Sequence, residues 1–474
     1  MGVRTVTFSS EGNPLRRTFI QRTREDTPRA GNGDPPTTDD QSTPKKEIAE
    51  AVMNPMKRSI LFLTILTLVA AAPVWADQSM GPEIPISVLD NQQYNPHVAY
   101  NSVRDQYLVV WHNFWGGSRD IYGRRLDGEG NLLSSFTIST GTWDRVQPAV
   151  AYDPLNDRYL VVWSYDFHGD GSDWDLYGRL IPWNGPDAGL TEFPIETSTR
   201  TQDSPEVAFA LAQQEFMVVW NNSGGGVPRD IEGARIQLSG SLVPGGLVPV
   251  ASGAGDRFNP DIAYNLDRNE YLVTYDENGA DILATRLTGN GVVLGGGEFG
   301  IATWPSPESK PSVAACGGGT DRYFVAWQSL VAANDNDVYG RFVTGDGVPD
   351  GAPLHFSIHA SEPDVTCRNG SADFLAVWES QYSSTTGPFG IDGRLVLPNG
   401  TLSQGFVVRT VYSGETGVAT MPAAVGGQQG SLVVWEHDRQ GTSYQDIHGR
   451  MVWGSLFSDG FESGNTNAWS SVAP

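Results

Sequence analysis

Short apolar runs recur along the chain at intervals of 51 to 59 residues. Each unit opens with a proline before a strand-like run, as in "NPHVAY" and "QPAVAY". The opening prolines are Pro96, Pro148, Pro205, Pro260, Pro311, Pro363 and Pro422. A second run follows, such as "YLVVW", then a third, such as "DIYGRRL", and a weaker fourth, such as "FTIST". A period of this length indicates a repeat architecture.

The second run is apolar at every position. In "YLVVW" (Tyr107–Trp111) both alternating sets of side chains are apolar, so a strand here needs cover on both faces. Four strands per unit, seven units and connections of hairpin length predict an all-β fold, a seven-bladed β-propeller of four-stranded antiparallel blades. Each blade is then covered by its two neighbours. A parallel β-helix is the alternative, although its rungs are usually shorter.

The two ends of the repeat indicate how the ring is closed. "IPISVLDNQQYNP" (Ile84–Pro96) matches the fourth strand and linker that precede each later unit, whereas the last unit ends after its third strand, "DIHGRMVW". We expect the N-terminal strand to complete the last blade and so to leave no open sheet edge. The predicted propeller spans residues 82–455.

Three positions keep their residue type in nearly every unit. The aromatic position is Trp111, Trp163, Trp220, Tyr275, Trp327, Trp378 and Trp435; the arginine position is Arg124, Arg179, Arg235, Arg286, Arg341, Arg394 and Arg450; the aspartate position is Asp120, Asp175, Asp230, Asp281, Asp337 and Asp446, with Gly390 as the exception. A catalytic residue is needed once, whereas a packing residue is needed in every blade. We therefore interpret them as an aromatic core, an arginine stacked on a ring or paired with an acid, and an aspartate that orders the turn into the third strand.

Composition and charge narrow the class of partner. Fifty-five glycines and 30 prolines favour many short strands and turns. The formal net charge of −24 argues against a nucleic-acid partner, because phosphate is bound mainly by Lys and Arg. The same charge is compatible with cations, a protein, or a neutral polymer such as a glycan.

The N-terminal region predicts export. Residues 1–55 are polar and proline-rich, as in a disordered extension, and a start site assigned too early, with Met56 as the true first residue, explains them most simply. Residues 56–76 combine a basic start, an apolar centre and small residues before Asp77, the layout of a signal peptide. A transmembrane anchor is the alternative, but 17 residues interrupted by Pro73 are at the short end of the roughly 17–25 required. We expect a secreted protein, periplasmic or extracellular, with no stable membrane anchor.

The repeat also resembles one found in exported bacterial β-propeller proteins. The resemblance rests on "NPHVAYN", "YLVVW" and "DIYGRRL", covers roughly Ile84–Trp453, and implies the fold and export but no activity. The tail at residues 456–474, "LFSDGFESGNTNAWS" with its last residues, is similar to a short C-terminal segment of other secreted bacterial proteins. A sorting tag, the remnant of a lost domain and a disordered tail are the three interpretations.

The loops between second and third strands vary most and are expected to share one face of the ring. Their aromatic residues are candidates for stacking on a sugar or contacting a protein. They are Trp115, Phe167, Trp174, Tyr382, Phe389 and Tyr444. Solvated loops with local aromatic packing are the alternative interpretation.

Polar residues follow the opening prolines of four units. If the first strand is innermost, His97, Glu206, Asp261 and Asp364 converge at one mouth of the central channel. Carboxylates from separate blades would supply the acid and the base or nucleophile of a glycosidase. Solvated channel residues are the alternative. No nucleophile elbow, zinc motif, phosphate loop, dinucleotide fingerprint or sialidase aspartate box occurs in the chain, which weakens the enzyme hypothesis.

Two further groups carry chemistry. Asp170, Asp173 and Asp175 cluster in "DGSDWD" and are candidate calcium ligands, although they lack the order of an EF-hand loop. The only two cysteines, Cys316 and Cys367, end the first strands of neighbouring units, where a disulfide or two buried thiols would fit.

Together these features predict a monomeric, secreted binding or scaffold module with a glycan or protein ligand on one face of the ring. The alternative function is an extracellular glycan-active enzyme, a hydrolase or lyase, that uses the channel carboxylates. No cofactor is expected apart from calcium at the aspartate cluster.

Overall fold

The computed structural model describes residues 79–169, 171, 173–317, 319–333, 335–368, 372–381, 389–410, 418–438 and 444–453. The predicted extension, signal peptide and C-terminal tail (residues 1–55, 56–76 and 456–474) lie outside these ranges. The described strands run from Ser79 to Trp453, so the first one begins three residues before the predicted boundary at 82. No helix of the length and hydropathy needed to cross a bilayer occurs within the described ranges.

Twenty-eight strands form seven sheets. The first strand is β1 (Ser79–Ser87). Blade 1 holds β2 (Gln92–Asn101), β3 (Gln106–Trp115), β4 (Ser118–Asp127) and β5 (Leu132–Ser139). Blade 2 holds β6 (Arg145–Asp153), β7 (Arg158–Asp166), β8 (Trp174–Pro182) and β9 (Phe193–Glu196). Blade 3 holds β10 (Thr201–Ala210), β11 (Glu215–Gly224), β12 (Val227–Gln237) and β13 (Leu242–Ala251). Blade 4 holds β14 (Arg257–Asn265), β15 (Glu270–Glu277), β16 (Asp281–Thr288) and β17 (Phe299–Ala302). Blade 5 holds β18 (Glu308–Ala315), β19 (Arg322–Ala332), β20 (Asp335–Thr344) and β21 (Pro349–Ser357). Blade 6 holds β22 (Ala360–Cys367), β23 (Phe374–Gln381), β24 (Phe389–Val396) and β25 (Phe406–Arg409). Blade 7 holds β26 (Ala419–Gly426), β27 (Gly430–Asp438) and β28 (Gln445–Trp453), and its fourth strand is β1.

All seven sheets are antiparallel and four-stranded, which confirms the predicted all-β, seven-bladed propeller. The core lies between the blades, as the two-sided apolar pattern predicts. Leu108 and Val110 of β3 pack with Trp163 in the core between blades 1 and 2. Tyr107 and Val109 point to the opposite side and pack against blade 7. A second strand therefore contributes alternate residues to two different cores.

The hairpin between first and second strands explains the repeated "AYN" sequence. In blade 1 the Asn101 side-chain oxygen accepts the backbone N–H of Val103 at 3.0 Å, and the Tyr100 hydroxyl donates to Asp105 at 2.8 Å. Asp105 has a φ of 51°, a left-handed conformation that the short polar side chain tolerates. These bonds fix a tight turn, and therefore the register of the pair that follows it.

The strand β1 lies against β28 as other fourth strands lie against their third strands. Ile84 and Ile86 of β1 are buried among residues of blade 7 and blade 1. The Arg124 guanidinium of blade 1 donates to the carbonyl of Ile86. Arg179 of blade 2 makes the same bond to the carbonyl of Ile138 in the fourth strand of blade 1, at 2.6 Å.

The repeated arginine therefore has a different main role from the one predicted. In blades 1, 2, 5 and 7 it donates to a backbone carbonyl in the fourth strand of the preceding blade; the arginines are Arg124, Arg179, Arg341 and Arg450. Arg235 and Arg286 pair with Glu215 and Glu270, each at 2.7 Å or less, as predicted for an acid partner. The guanidinium thus bonds two neighbouring blades at their outer strands.

In blade 1 the repeated aspartate also acts at a turn different from the predicted one. Asp120 accepts bonds from the Thr140 hydroxyl and the Gly141 backbone N–H, each at 3.0 Å. Both donors follow the fourth strand, so Asp120 orders the connection to the next blade and not the turn into the third strand. For Asp120 the predicted structural role holds, but the predicted turn was wrong.

Cys316 and Cys367 are joined by a disulfide, with Cα atoms 5.3 Å apart. The two residues lie at the ends of the first strands of blades 5 and 6, where neighbouring blades are close together. The bond links these blades near the ring centre.

Candidate functional site

The seven repeated prolines line one cavity of about 300 Å³ at the centre of the ring. The cavity is lined by the residues before, at and after each proline, except Ala149, near the start of every first strand. Gln92 of β2 pairs with Phe114 of β3, so first strands start at the face where the loops between second and third strands lie. We call this the loop face; the channel mouth and the variable loops share it.

The residue before each proline has a left-handed backbone, which sequence reasoning missed. These residues are Asn95, Gln147, Ser204, Asn259, Lys310, Glu362 and Met421, with φ between 49° and 53°. Pairing with the second strand skips at this point in every blade, for example between Tyr94 and His97. A bulge of this kind bends the strand and turns the following side chain to a new direction. Asparagine at two of the seven positions was the available sequence signal.

The backbone N–H of several bulge residues is bonded by a side chain of the preceding blade. Asn95 donates to Glu436, and Met421 donates to Glu379, both at 2.7 Å. Glu436 and Glu379 each directly follow the core tryptophan of their blade. The polar residue after the core aromatic therefore accepts a hydrogen bond from the backbone of the next blade. The sequence analysis did not predict this role.

His97 and Glu206 form a pair inside the channel. Nε2 of His97 lies 3.2 Å from a carboxylate oxygen of Glu206, and the two side chains are 30% and 27% exposed. His97 belongs to blade 1 and Glu206 to blade 3, so the pair spans the position of Ala149 in blade 2. The other nitrogen of His97 accepts the backbone N–H of Val150 at 3.3 Å. This arrangement fits an imidazole whose Nε2 proton points at the carboxylate.

Asp261 and Asp364 are held by backbone donors of the next blade. Asp261 accepts the N–H of Val313 at 2.6 Å and that of its own neighbour Ile262 at 2.7 Å. Asp364 accepts the N–H of Ala424 and the hydroxyl of Ser312, both at 2.7 Å. Each bond satisfies a donor on the innermost strand edge. These two carboxylates therefore join adjacent blades. The sequence analysis predicted either catalytic or solvated residues here and did not include this role.

Burial and nearby charges shift the pKa values of Asp261, Asp364 and His97. Burial, then the charge of Glu206, raises the pKa of Asp261 to about 7. Burial also raises the pKa of Asp364. Burial opposes the charging of His97, but the carboxylate of Glu206 more than offsets it and the pKa of His97 is raised.

The structure thus brings together all four predicted channel residues. Beyond them, a second cavity of about 130 Å³ is lined by the same four side chains and by apolar residues that follow them. The four side chains separate this inner cavity from the one at the mouth.

The predicted loop residues differ in exposure. The Trp115 and Phe167 side chains are 64% and 50% exposed, whereas Trp174 is half-buried and its indole N–H donates to the Gly171 carbonyl at 3.3 Å. Phe389 and Tyr444 are half-buried, and Tyr382 lies outside the described residues. Trp115 precedes a turn of two glycines, Gly116 and Gly117, with φ of 66° and 99°, which holds the indole at the tip of the hairpin.

Trp143 is a further exposed ring on the loop face, which sequence reasoning missed. It lies in the connection between blades 1 and 2 and is 42% exposed. A Cβ on Gly169 would meet Cε3 of Trp143 at 2.2 Å, so the glycine lets the indole lie against the loop of Phe167. We call Phe114, Trp115, Trp143 and Phe167 the aromatic strip.

Polar contacts hold the two halves of the aromatic strip together. The Arg119 guanidinium lies 5.3 Å from the Phe114 ring centre and also pairs with Asp144. The backbone N–H of Arg119 donates to Asp144 at 2.8 Å. Asp144 neighbours Trp143, so the hairpin of blade 1 and the connection to blade 2 form one braced unit.

The predicted calcium ligands are partly described. Asp175 is buried, and burial followed by the charge of Asp173 raises its pKa to about 6. One oxygen of Asp173 is buried and has no bond within the described part of the chain, and the other lies 3.8 Å from Nδ1 of His168. Asp170 lies outside the described residues, so the calcium site stays a prediction.

Comparison with known proteins gives likenesses of fold. No protein-family model matches the chain, and no curated protein matches its sequence. Among solved structures, the parainfluenza virus 5 hemagglutinin-neuraminidase ectodomain is similar at 10% identity and a TM-score of 0.46, over 85% of this chain and 96% of that one. The Trypanosoma rangeli sialidase has 9% identity and a TM-score of 0.45, over 80% and 60%. The leech intramolecular trans-sialidase has 9% identity and a TM-score of 0.44, over 81% and 70%. At these identities and TM-scores the likenesses assign no activity to this chain.

Proposed function

We propose that this protein is a binding module that takes a neutral glycan on its loop face. The observation that carries the proposal is the aromatic strip, in which four rings from two adjacent blades are between 36% and 64% exposed. Flat apolar rings with polar neighbours suit stacking on sugar rings. Exposed apolar surface that is rimmed by polar residues commonly marks an interaction site.

The surroundings of the strip favour a neutral polymer over an anionic one. Arg119 is engaged by Asp144, and Arg145 lies over the Tyr165 ring at 4.4 Å, so both local cations already have partners. The formal net charge of −24 repels polyanions at long range. The channel mouth on the same face offers hydroxyl-binding groups within a cavity of about 300 Å³, which is at the small end of the roughly 300–1,000 Å³ typical of ligand sites.

A glycan array probed with the mature chain tests this proposal. A ring stacked on a sugar contributes about 1.5 kcal/mol at the upper end, so Trp115→Ala or Trp143→Ala should weaken the best ligand about tenfold. Trp183→Ala is the matched control, because Trp183 lies on the opposite face, stacked under Arg104 at 3.8 Å. Circular dichroism confirms that all three variants are folded.

Two outcomes would contradict the proposal. The first is an array on which no glycan is retained, with binding seen only to a protein. The second is a retained glycan whose affinity is unchanged in both strip variants. A loss of affinity in the Trp183 variant equal to that in the strip variants would place the ligand elsewhere.

A glycan-active enzyme is the second candidate, and the His97–Glu206 pair favours it. Neither residue is fully buried, and Glu206 is the channel carboxylate that bonds the imidazole. Asp261 and Asp364 are engaged by backbone N–H groups, so we assign them to the structure and not to the chemistry. A hydrolysis screen on the sugars that bind would show turnover abolished in Glu206→Gln and retained in the control Glu129→Gln. Binding without turnover supports the module alone.

We also propose that the protein acts outside the cytoplasm, as an exported bacterial monomer. The disulfide between Cys316 and Cys367 supports this, because such bonds persist mainly in oxidising compartments. Cell fractionation with detection of the processed chain tests the location, and light scattering tests the oligomeric state. A full-length chain that stays in the cytoplasm would contradict the proposal.

A further inference from the structure

We propose that blade 7 contains a binding site for a divalent transition-metal ion, formed by Glu83, His437 and His448. The three residues come from three adjacent strands, β1, β27 and β28. Each offers one ligand atom, and the three atoms lie within 4.8 Å of one another. Within the described ranges, this is the one group of three such residues that meets this distance.

The geometry places donors around a common point. Oε1 of Glu83 lies 2.6 Å from Nδ1 of His448. The rings of His437 and His448 are 4.4 Å apart between centres and inclined by 32°. Nδ1 of His437 is buried and has no hydrogen-bond partner among the residues that the structure describes. Buried polar atoms almost always have a partner, and a bound ion would provide one.

The backbone register explains why these side chains meet. Trp435 of β27 pairs with His448, and His437 pairs with Asp446, so the two histidines are diagonal neighbours on one sheet face. Diagonal neighbours in an antiparallel pair are within reach of long side chains. Pro85 of β1 pairs with His448 from the other side, which brings Glu83 beside it.

The repeat shows that the fold does not require this combination. At the position of His448 the other blades carry Tyr122, Tyr177, Glu232, Leu283, Tyr339 and Asp392. At the position of His437 they carry Asn113, Tyr165, Asn222, Glu277, Ser329 and Ser380. A residue that occurs in one blade is not explained by blade packing, and here two histidines depart from the repeat together. Glutamate at the Glu83 position is shared with Glu192 of blade 2 and Glu298 of blade 4, so the histidines are what distinguish blade 7.

The donor set selects the class of ion. Two imidazoles and one carboxylate suit zinc and its first-row neighbours, whereas calcium and magnesium prefer oxygen ligands. Metal–ligand bonds of about 2.0–2.2 Å put ligand atoms roughly 3.3 Å apart, so the present cluster closes around an ion with shifts of about 1 Å. A fourth position would be left for water.

Arg409 of blade 6 positions the carboxylate. Its Nε lies 3.3 Å from Oε2 of Glu83, while Oε1 faces His448. One oxygen is thus held by the guanidinium and the other is left for the ion, which is the usual arrangement of a residue that orients a ligand. The metal would connect β1 to β28, which lies beside it, and to β27, the next strand of the sheet, and so strengthen the closure of the ring.

Zinc binding to the untagged full chain tests the proposal. After treatment with a chelator and dialysis, titration calorimetry with Zn²⁺ alone should show one ion bound per chain, with a rise in melting temperature. Co²⁺ should give visible absorption bands of an ion with nitrogen and oxygen ligands. His437→Gln and Glu83→Gln should each weaken Zn²⁺ binding at least tenfold and alter the Co²⁺ spectrum.

His359→Ala is the matched control. Nδ1 of His359 lies 2.6 Å from an oxygen of Asp335, so it resembles the Glu83–His448 pair without a second histidine in the described residues. This variant should bind Zn²⁺ as the unaltered chain does. No saturable binding near one ion per chain would overturn the site, and so would binding that survives in both ligand variants. The glutamine variants keep the size of the side chains, and circular dichroism establishes that they are folded.

Discussion

Replacing Ile86 by alanine measures how firmly the N-terminal strand closes the ring. Ile86 of β1 is fully buried in the core shared by blades 7 and 1. Truncating a buried isoleucine to alanine costs about 2–5 kcal/mol of stability. We expect a loss in this range, because Cδ1 of Ile86 lies 2.8 Å from where a Cβ of Gly449 would stand, so the side chain fills space that the glycine leaves.

Ile138→Ala is the matched control for this experiment. Ile138 is equally buried, and its carbonyl accepts the same arginine bond that the carbonyl of Ile86 accepts. The two residues differ in how the chain connects their strands. Ile138 lies in β5, which directly follows the third strand of the same blade, whereas Ile86 lies in β1, about 360 residues before the strand that it pairs with. Equal costs would show that β1 is docked as firmly as a strand within a continuous blade.

Urea unfolding followed by tryptophan fluorescence gives both free energies of unfolding. The reasoning is refuted if Ile86→Ala unfolds like the unaltered chain while Ile138→Ala is destabilised. Deleting residues 79–90 extends the test, since an exposed edge of β28 should promote association. A deletion variant that stays monomeric with unchanged melting would mean that β1 contributes nothing to closure.

Three other perturbations have clear expected outcomes. Replacing Cys316 and Cys367 together by alanine should lower the free energy of unfolding by about 4 kcal/mol, from the chain entropy of a 51-residue loop, and reduction of the unaltered chain should match it in urea unfolding. The pKa of Asp261, raised from 3.8 to about 7 by burial, means that the folded state holds its proton more tightly than the unfolded state does. Stability should therefore fall as pH rises from about 4 to about 7, and Asp261→Asn should flatten that slope in melting curves while losing one backbone bond; an unchanged slope would show that Asp261 is not the source. Met421→Asn should raise stability by about 1 kcal/mol, because asparagine tolerates the left-handed conformation better; a lower melting temperature would contradict this.

The sequence was sufficient for the fold because the repeat restates it seven times. The apolar pattern of Tyr107–Trp111 requires cover on both faces, and only neighbouring blades provide it. The roles of individual repeated residues were harder to predict. Arg124 bonds a backbone carbonyl of another blade, and Asp120 bonds the connection that follows the fourth strand of its own blade. The sequence pattern of one repeat does not show either partner.

The convergence of four side chains in the channel was predictable, but the role of each side chain there was not. His97 and Glu206 were predicted to converge on condition that the first strand is innermost, and they do lie side by side. The bulge before each proline could not be foreseen, because residues as different as Asn95 and Met421 adopt the same left-handed backbone. Trp143 was missed for another reason: it lies in a connection between blades, while the loops within blades held the obvious aromatic residues.

The channel carboxylates fall into two groups. Two of them join neighbouring blades by accepting backbone N–H groups, and the third pairs with another side chain. The innermost strand of every blade presents unpaired N–H groups, and the residue after the preceding blade's proline is placed to accept one of them. Asp261 and Asp364 do so for Val313 and Ala424. Glu206 would be the acceptor for the following blade, but there the N–H of Ile262 bonds the carboxylate of its own neighbour, Asp261. Glu206 is thereby released from the fastening role and turns to His97, two blades away. Chemistry or recognition in this channel should therefore depend on Glu206, and stability on the two aspartates.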